Sequence, residues 1–264
     1  MSTDTTGAVL VTGAAMGIGR AVADRLAADG RPLVLLDRDA ERLDKAVAEL
    51  SGEGATVTGN AVDVADADAF RATLAAVDDA TPLAGLVNVA GVGLMAHFAE
   101  LRLEQWDRTF AVNLRALFVS NQEIGGRMAA RGGGRIVNMA SIAGKAGSAD
   151  LADYCASKAG VISLTQSANA AFAPSGVRVN AVCPGLVWTP MWNETATWLS
   201  QEPPFAGQQM SPRQVFDAVV QSGTPTRRPT EPADIAEMVA FLLSPAASQV
   251  AGQAINVDGG IEVH

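Results

Sequence analysis

Seven short stretches of strand-type pattern recur along the chain, at residues 8–12, 33–37, 56–61, 85–89, 135–140, 178–183 and 254–257. Longer segments with helical spacing of apolar positions lie between them. Alternation of this kind predicts a parallel sheet covered by helices, because each connection is long enough for a helical crossover. Such crossovers are right-handed, and ligand groups gather at the carboxyl ends of the strands. The expected fold is therefore an α/β, single-domain, Rossmann-like doubly wound fold with a seven-stranded parallel sheet flanked by helices. Gly13, Asp37, Asp63, Asn88, Ser141 and Pro184 all fall at or just after strand ends.

At 264 residues and 48% hydrophobic content, the chain can bury one sizeable core, and no boundary divides it. The reading is one domain over 1–264, with Gly132-Gly133-Gly134 ending a helix rather than linking two units. The polar stretch 1–6 is too short for a signal peptide, and no apolar run reaches the length of a membrane span. A soluble, cytoplasmic protein is expected. The net charge of −9 argues against nucleic-acid or anionic-membrane binding. Arg127 and Arg131, four apart on a predicted helix, and Arg135 just beyond leave either a solvated helix end or a local basic face. Cys155 and Cys183 form no Cys-x-x-Cys unit, and His97 and His264 are the only histidines, so neither a disulfide framework nor a catalytic metal is predicted.

Two local patterns carry chemistry. In Val9-Leu10-Val11-Thr12-Gly13-Ala14-Ala15-Met16-Gly17-Ile18-Gly19-Arg20, an apolar run meets a glycine turn and then a helical pattern through Ala28. Such a turn lets backbone N–H groups and a helix N-terminus approach a pyrophosphate. Tyr154 is the only tyrosine, and Lys158 follows it at i+4, on one face if both are helical. An ammonium there would stabilise a phenolate and lower its pKa.

Taken together and in order, Thr12-Gly13-x-x-x-Gly17-Ile18-Gly19, Asn113, Ser141 and Tyr154-x-x-x-Lys158 resemble the short-chain dehydrogenase/reductase family in its compact, classical form. Asp63-Val64, Asn88-Val89-Ala90-Gly91, Pro184-Gly185 and a closing Ile255-Asn256-Val257-Asp258-Gly259-Gly260 extend the resemblance over nearly the whole chain. Val89 departs from it, standing where the family often has a second asparagine.

The resemblance implies an oxidoreductase that interconverts a secondary alcohol and its ketone with a nicotinamide cofactor. Tyr154 would be the acid/base, Ser141 would hold the substrate oxygen, Lys158 would tune the phenol and bind the nicotinamide ribose, and Asn113 would support proton return to solvent. Thr12, Gly13, Met16, Gly17, Ile18 and Gly19 would cradle the diphosphate. Asp63 and Val64 would lie near the adenine, Asn88, Ala90 and Gly91 near the ribose and diphosphate, and Pro184, Gly185, Val187 and Thr189 around the nicotinamide.

Asp37, eighteen residues beyond Gly19, suits a carboxylate on the adenosine ribose and favours NAD. Arg38 beside it is the feature that would favour NADP. Residues 186–228, which contain Trp188, Met191, Trp192, Trp198, Phe205, Met210 and Phe216, are expected to form a substrate-binding flap. Their apolar side chains either line a pocket or pack the segment onto the core. Thr189-Pro190-Met191-Trp192 is similar to small-polyol, diol and acetoin dehydrogenases of the family. The alternative is an NADPH-dependent 3-oxoacyl thioester or other ketone reductase, docking an acidic carrier through Arg127 and Arg131. A more distant alternative is a non-catalytic nucleotide-sensing protein. A homotetramer is expected by analogy.

Overall fold

The computed structural model describes residues 7–263; stretch 1–6 and His264 lie outside the described residues. The strands are β1 (Ala8–Thr12), β2 (Leu33–Asp37), β3 (Val57–Ala61), β4 (Leu83–Asn88), β5 (Gly134–Met139), β6 (Val177–Pro184) and β7 (Ala254–Val257). They form one sheet in the order β3-β2-β1-β4-β5-β6-β7, and every pairing is parallel. The expected strands are all present, with β1, β2 and β7 at the expected bounds and the others shifted by one or two residues. Strand order runs outward in both directions from the β1–β4 pair, so the crevice of a doubly wound sheet opens there.

The helices are α1 (Gly17–Ala28), α2 (Ala40–Gly52), α3 (Ala67–Ala80), α4 (Leu103–Phe110), α5 (Ala116–Ala130), α6 (Ala152–Phe172), α7 (Pro190–Leu199), α8 (Pro212–Gly223) and α9 (Pro232–Leu243). Central strands are apolar at nearly every position because both faces are covered. Val9, Val11, Leu33 and Leu35 pack with Leu26 of α1 and Val239 of α9 on one face. Ala8, Leu10, Val34 and Leu36 pack with Phe70 of α3 and Ile124 of α5 on the other. Edge strand β3 is mostly exposed. Among the described residues, no helix is long and apolar enough to cross a membrane.

Arg127 and Arg131 sit on α5 against α3. Arg131 meets the buried Asp78 at 2.6 Å, and Arg127 bonds Glu123 at 2.8 Å and Asp79 at 2.5 Å. The local basic face left open by the sequence is thus largely neutralised by its own acidic neighbours.

Candidate active site

The glycine turn between β1 and α1 is shaped by contacts that leave no room for side chains. Gly13 has φ +65°, and a Cβ there would lie 2.9 Å from the backbone of Ala90. Gly19, in the first turn of α1, lies so close to the preceding loop that a Cβ would overlap the Gly13 carbonyl. Thr12 ties this turn to the next strand, its Oγ1 accepting from the N–H groups of Val89 at 3.1 Å and Ala90 at 3.2 Å. Unlike α2 and α3, which Asp39 and Asp66 cap, α1 starts after Met16 with no side-chain cap and no acidic residue in its first turn. Its N-terminal amides therefore face the crevice unneutralised, which fits a diphosphate.

Asp37, at the end of β2, accepts from Ala15 N at 3.0 Å and Asp39 N at 3.1 Å, so its carboxylate is fixed beside the turn. Arg38 is exposed. Asp63 follows β3; burial would raise its pKa, but the Ala65 amide, Arg108 and Arg38 together hold it below the usual carboxylate value. Val64 is buried. Asn88 turns its side chain into the core, donating to Asn138 at 2.9 Å and accepting from Ser120 at 2.8 Å. The backbone after it, at Ala90, borders the glycine turn.

Beyond the crevice, β5 leads into Ser141, and α6 carries both Tyr154 and Lys158. The Ser141 side chain comes close enough to the Tyr154 hydroxyl to oppose the rise in its pKa. Lys158, only 4% exposed, donates to the Met139 carbonyl at 2.8 Å, and its Nζ lies 5.6 Å from the Tyr154 ring centroid. Asn113 sits in a π-helical turn, Ala111–Arg115, between α4 and α5. That extra residue per turn re-aims its side chain, a frequent device at functional sites. Its amide exchanges 2.8 Å bonds with both N–H and C=O of Val92 and donates to Ser157 Oγ at 3.0 Å. Ser157 in turn donates to the Tyr154 carbonyl at 2.8 Å. A Cβ on Gly91 would lie 3.4 Å from Asn113 Oδ1 and 3.6 Å from Lys158 Nζ. Gly91, Asn113 and Lys158 thus meet, with Tyr154 and Ser141 one side chain away.

The expected depression of the phenol pKa is reversed in the protein alone. Burial pushes Tyr154 up to about 12 against the opposing effect of Ser141, and burial pushes Lys158 down to about 8. Both shifts have the same physical origin, the cost of charge in a desolvated site, and Lys158 bonds a carbonyl rather than the phenol. Tyr154 is consequently held as a proton donor at neutral pH.

Pro184 ends β6, Gly185 donates to the Val257 carbonyl at 3.0 Å, Val187 pairs with Thr230, and Thr189 caps α7. Thr189 also meets the glycine turn: its methyl lies 3.6 Å from a Cβ built on Gly17. Met16 Sδ is 3.7 Å from Arg42 Nη1, while Ile18 packs against the core. In 186–228, Trp188, Trp192, Phe205 and Met210 pack around Phe216, Val215, Val220 and Ala196 as a core of their own. Trp198 instead packs edge-on against His97, with centroids 5.1 Å apart. Met191 and the tyrosine both border Gly93: a Cβ there would lie 2.8 Å from the Tyr154 ring and 3.3 Å from Met191 Sδ.

Sequence reasoning missed Gly93 and Ser157, and saw Asp153 only as a carboxylate near Ser141; it is buried and accepts from Thr109 at 2.7 Å and from the Tyr154 amide at 2.8 Å. Gly93 was detectable as a glycine two positions after Gly91. Ser157 and Asp153 flank Tyr154 but resemble ordinary helix residues.

A sequence model described as short chain dehydrogenase matches residues 7–200. The chain is 41% identical over 256 residues to a Streptomyces violaceoruber protein named as putative ketoacyl reductase 1 of the granaticin polyketide synthase, covering 96% of this chain and 92% of that one. It is 39% identical over 256 residues to an L-tagatose-forming galactitol 2-dehydrogenase of Cereibacter sphaeroides, covering 96% and 94%. A crystal structure of a singly substituted actinorhodin polyketide ketoreductase with NADPH superposes with a TM-score of 0.91 at 36% identity, covering 100% of both chains.

Proposed function

The chain belongs to the short-chain dehydrogenase family and is an NAD(P)-dependent oxidoreductase, and on that premise we propose that it interconverts a small polyol, diol or hydroxyketone with its ketone, preferring NAD. The observation that carries the reading is the grouping of Tyr154 with Ser141, which acts on its phenol, and the buried Lys158, whose Nζ lies 5.6 Å from its ring centroid. In this reading Tyr154 gives its hydroxyl proton to the oxygen of a ketone being reduced, or takes it from an alcohol being oxidised. Ser141 donates to that same oxygen and stabilises its developing charge. Lys158 and Asn113 provide the polar route by which Tyr154 regains its proton. When bound, the nicotinamide supplies the two-electron acceptor or donor. Thr12 to Gly19, Ala90, Gly91, Pro184, Gly185, Val187 and Thr189 would hold it, and Asp37, anchored by Ala15 and Asp39, would meet the adenosine ribose.

Asp37 supports NAD because a carboxylate fixed there repels a 2′-phosphate. Arg38, with the NADPH of the actinorhodin ketoreductase, supports the contrary reading, a ketoreductase acting on larger acyl substrates. That reading is weakened at Arg127 and Arg131, whose charges are already met by Asp78, Asp79 and Glu123. The reading extends to a cytoplasmic homotetramer, in which exposed Leu103 and Phe118 on α4 and α5 would be covered. Initial rates with NAD and NADP, against secondary alcohols, vicinal diols, polyols and a 3-oxoacyl thioester, test it. Turnover of polyols or diols chiefly with NAD is the expected result; exclusive use of NADPH with the thioester would replace it by the contrary reading.

A further inference from the structure

Three segments that are distant in sequence meet at the rim above Tyr154. The first follows β4 and contains Gly93, which packs against the Tyr154 ring, and His97. The second follows β5 and contains Asp150. The third is the end of α7 with the residues just beyond it, and contains Trp198 and Glu202. Backbone bonds from Ala96 N to Asp150 O at 3.0 Å and from Phe98 N to Ala149 O at 2.9 Å lace the first two together. One side chain joins the third to both of them. His97 Nδ1 lies 2.8 Å from Asp150 Oδ1, its Nε2 lies 3.6 Å from Glu202 Oε1, and its ring meets Trp198 edge-on.

We propose that His97 is a positioning residue for substrate binding: as a cation it bridges Asp150 and Glu202 and so holds the flap over the cleft that contains Gly93, Tyr154 and Met191. The proposal rests on the alcohol/ketone reading of that cleft. Every charged group that acts on the imidazole is acidic: Asp150 from the β5–α6 connection, Glu202 from the exit of α7, and Glu100 from its own turn. A neutral imidazole keeps one hydrogen bond, to Asp150, and loses the attraction to Glu202. The hydrogen bond to Asp150, together with the charges of Glu202, Asp150 and Glu100, outweighs the opposing cost of desolvation and raises the His97 pKa above its ordinary 6.5. A raised folded-state pKa means that the bridge is complete below about 6.5 and is lost as pH rises through the folded value. Flap closure should therefore loosen toward alkaline pH for a reason independent of Tyr154.

The test compares the whole enzyme with His97→Gln and Glu202→Gln variants. The KM of His97→Gln should exceed that of the parent about two- to fivefold at pH 6, since partly exposed ion pairs contribute modestly, and the ratio should close toward one by pH 9. The kcat values should stay together. Glu202→Gln should show the same pH-dependent ratio and add nothing in the His97→Gln background. A KM ratio that does not change with pH would reduce His97 to a packing residue and overturn the proposal. An arm without substrate separates this from failure of the functional reading: the His97 imidazole resonance, assigned by its loss in His97→Gln, should titrate above 6.5 in the parent and at lower pH in Glu202→Gln. An unmoved midpoint overturns the bridge whatever the enzyme turns over.

Discussion

Tyr154 stands between two regions that are held in different ways. Beneath it, Ser141, Lys158 and Asn113 hang from β5, α6 and the turn before α5, and are buried within the sheet's own packing. Above it, 186–228 folds around Phe216 as a small separate core, attached to the rest through Thr189, the Val187–Thr230 bridge and the His97–Glu202 contact. The backbone of the floor cannot move without disturbing the sheet. The flap can be rebuilt while the floor stays fixed, which is why one reaction on one fold serves many substrates.

Substitutions in the two regions should separate accordingly. Phe216→Ala removes the centre of the flap's core and should cost that segment roughly 3–5 kcal/mol. Limited proteolysis should then cut within 200–228, beyond Val187 and Thr189, and KM for substrate should rise, while NAD affinity measured by fluorescence titration stays near the parent value. Equal loss of cofactor binding would mean that the flap is not a separate unit. Ser141→Ala removes a donor to the substrate oxygen and should lower kcat on the order of 10²–10³-fold, with little change in the denaturation midpoint.

Lys158 gives the floor a distinct pH signature. Between about pH 8, its folded value, and 10.5, its ordinary value, the unfolded chain binds the proton and the native chain does not. Stability therefore gains with rising pH from this group, by at most about 3 kcal/mol. Lys158→Met should lack that gain, so its stability relative to the parent should fall as urea midpoints are followed from pH 7 to 10; a constant difference would show that the lysine is not desolvated. Smallest is Asp37→Ser, which should shift the NAD-to-NADP ratio of kcat/KM toward NADP by about tenfold, some 1.4 kcal/mol. An unchanged ratio would make Arg38, not Asp37, the selector.

The floor was legible because its chemistry depends on residue types at fixed spacings: three glycines at the β1–α1 turn, and Tyr154 one helical turn before Lys158. Strand bounds differ by one or two residues, as at β4, which begins at Leu83 rather than 85. Spacing alone misjudges the phenol pKa, because it reports proximity, not desolvation, and burial dominates here. The flap was legible as a segment only. Whether Trp188 and Trp192 line a pocket or pack together depends on contacts with Phe216, more than twenty positions away, and no local period encodes that. Arg127 and Arg131 likewise resemble a docking face until α3 supplies their carboxylate partners.

The most direct test of the account is single-turnover reduction of a hydroxyketone by the parent and by Tyr154→Phe, each with cofactor affinity measured in parallel. Loss of the proton donor should slow the chemical step on the order of 10³-fold while leaving cofactor affinity within about twofold. A Tyr154→Phe enzyme that turned over at near-parental rate would contradict the assignment of proton transfer to Tyr154, and with it the central claim about this site.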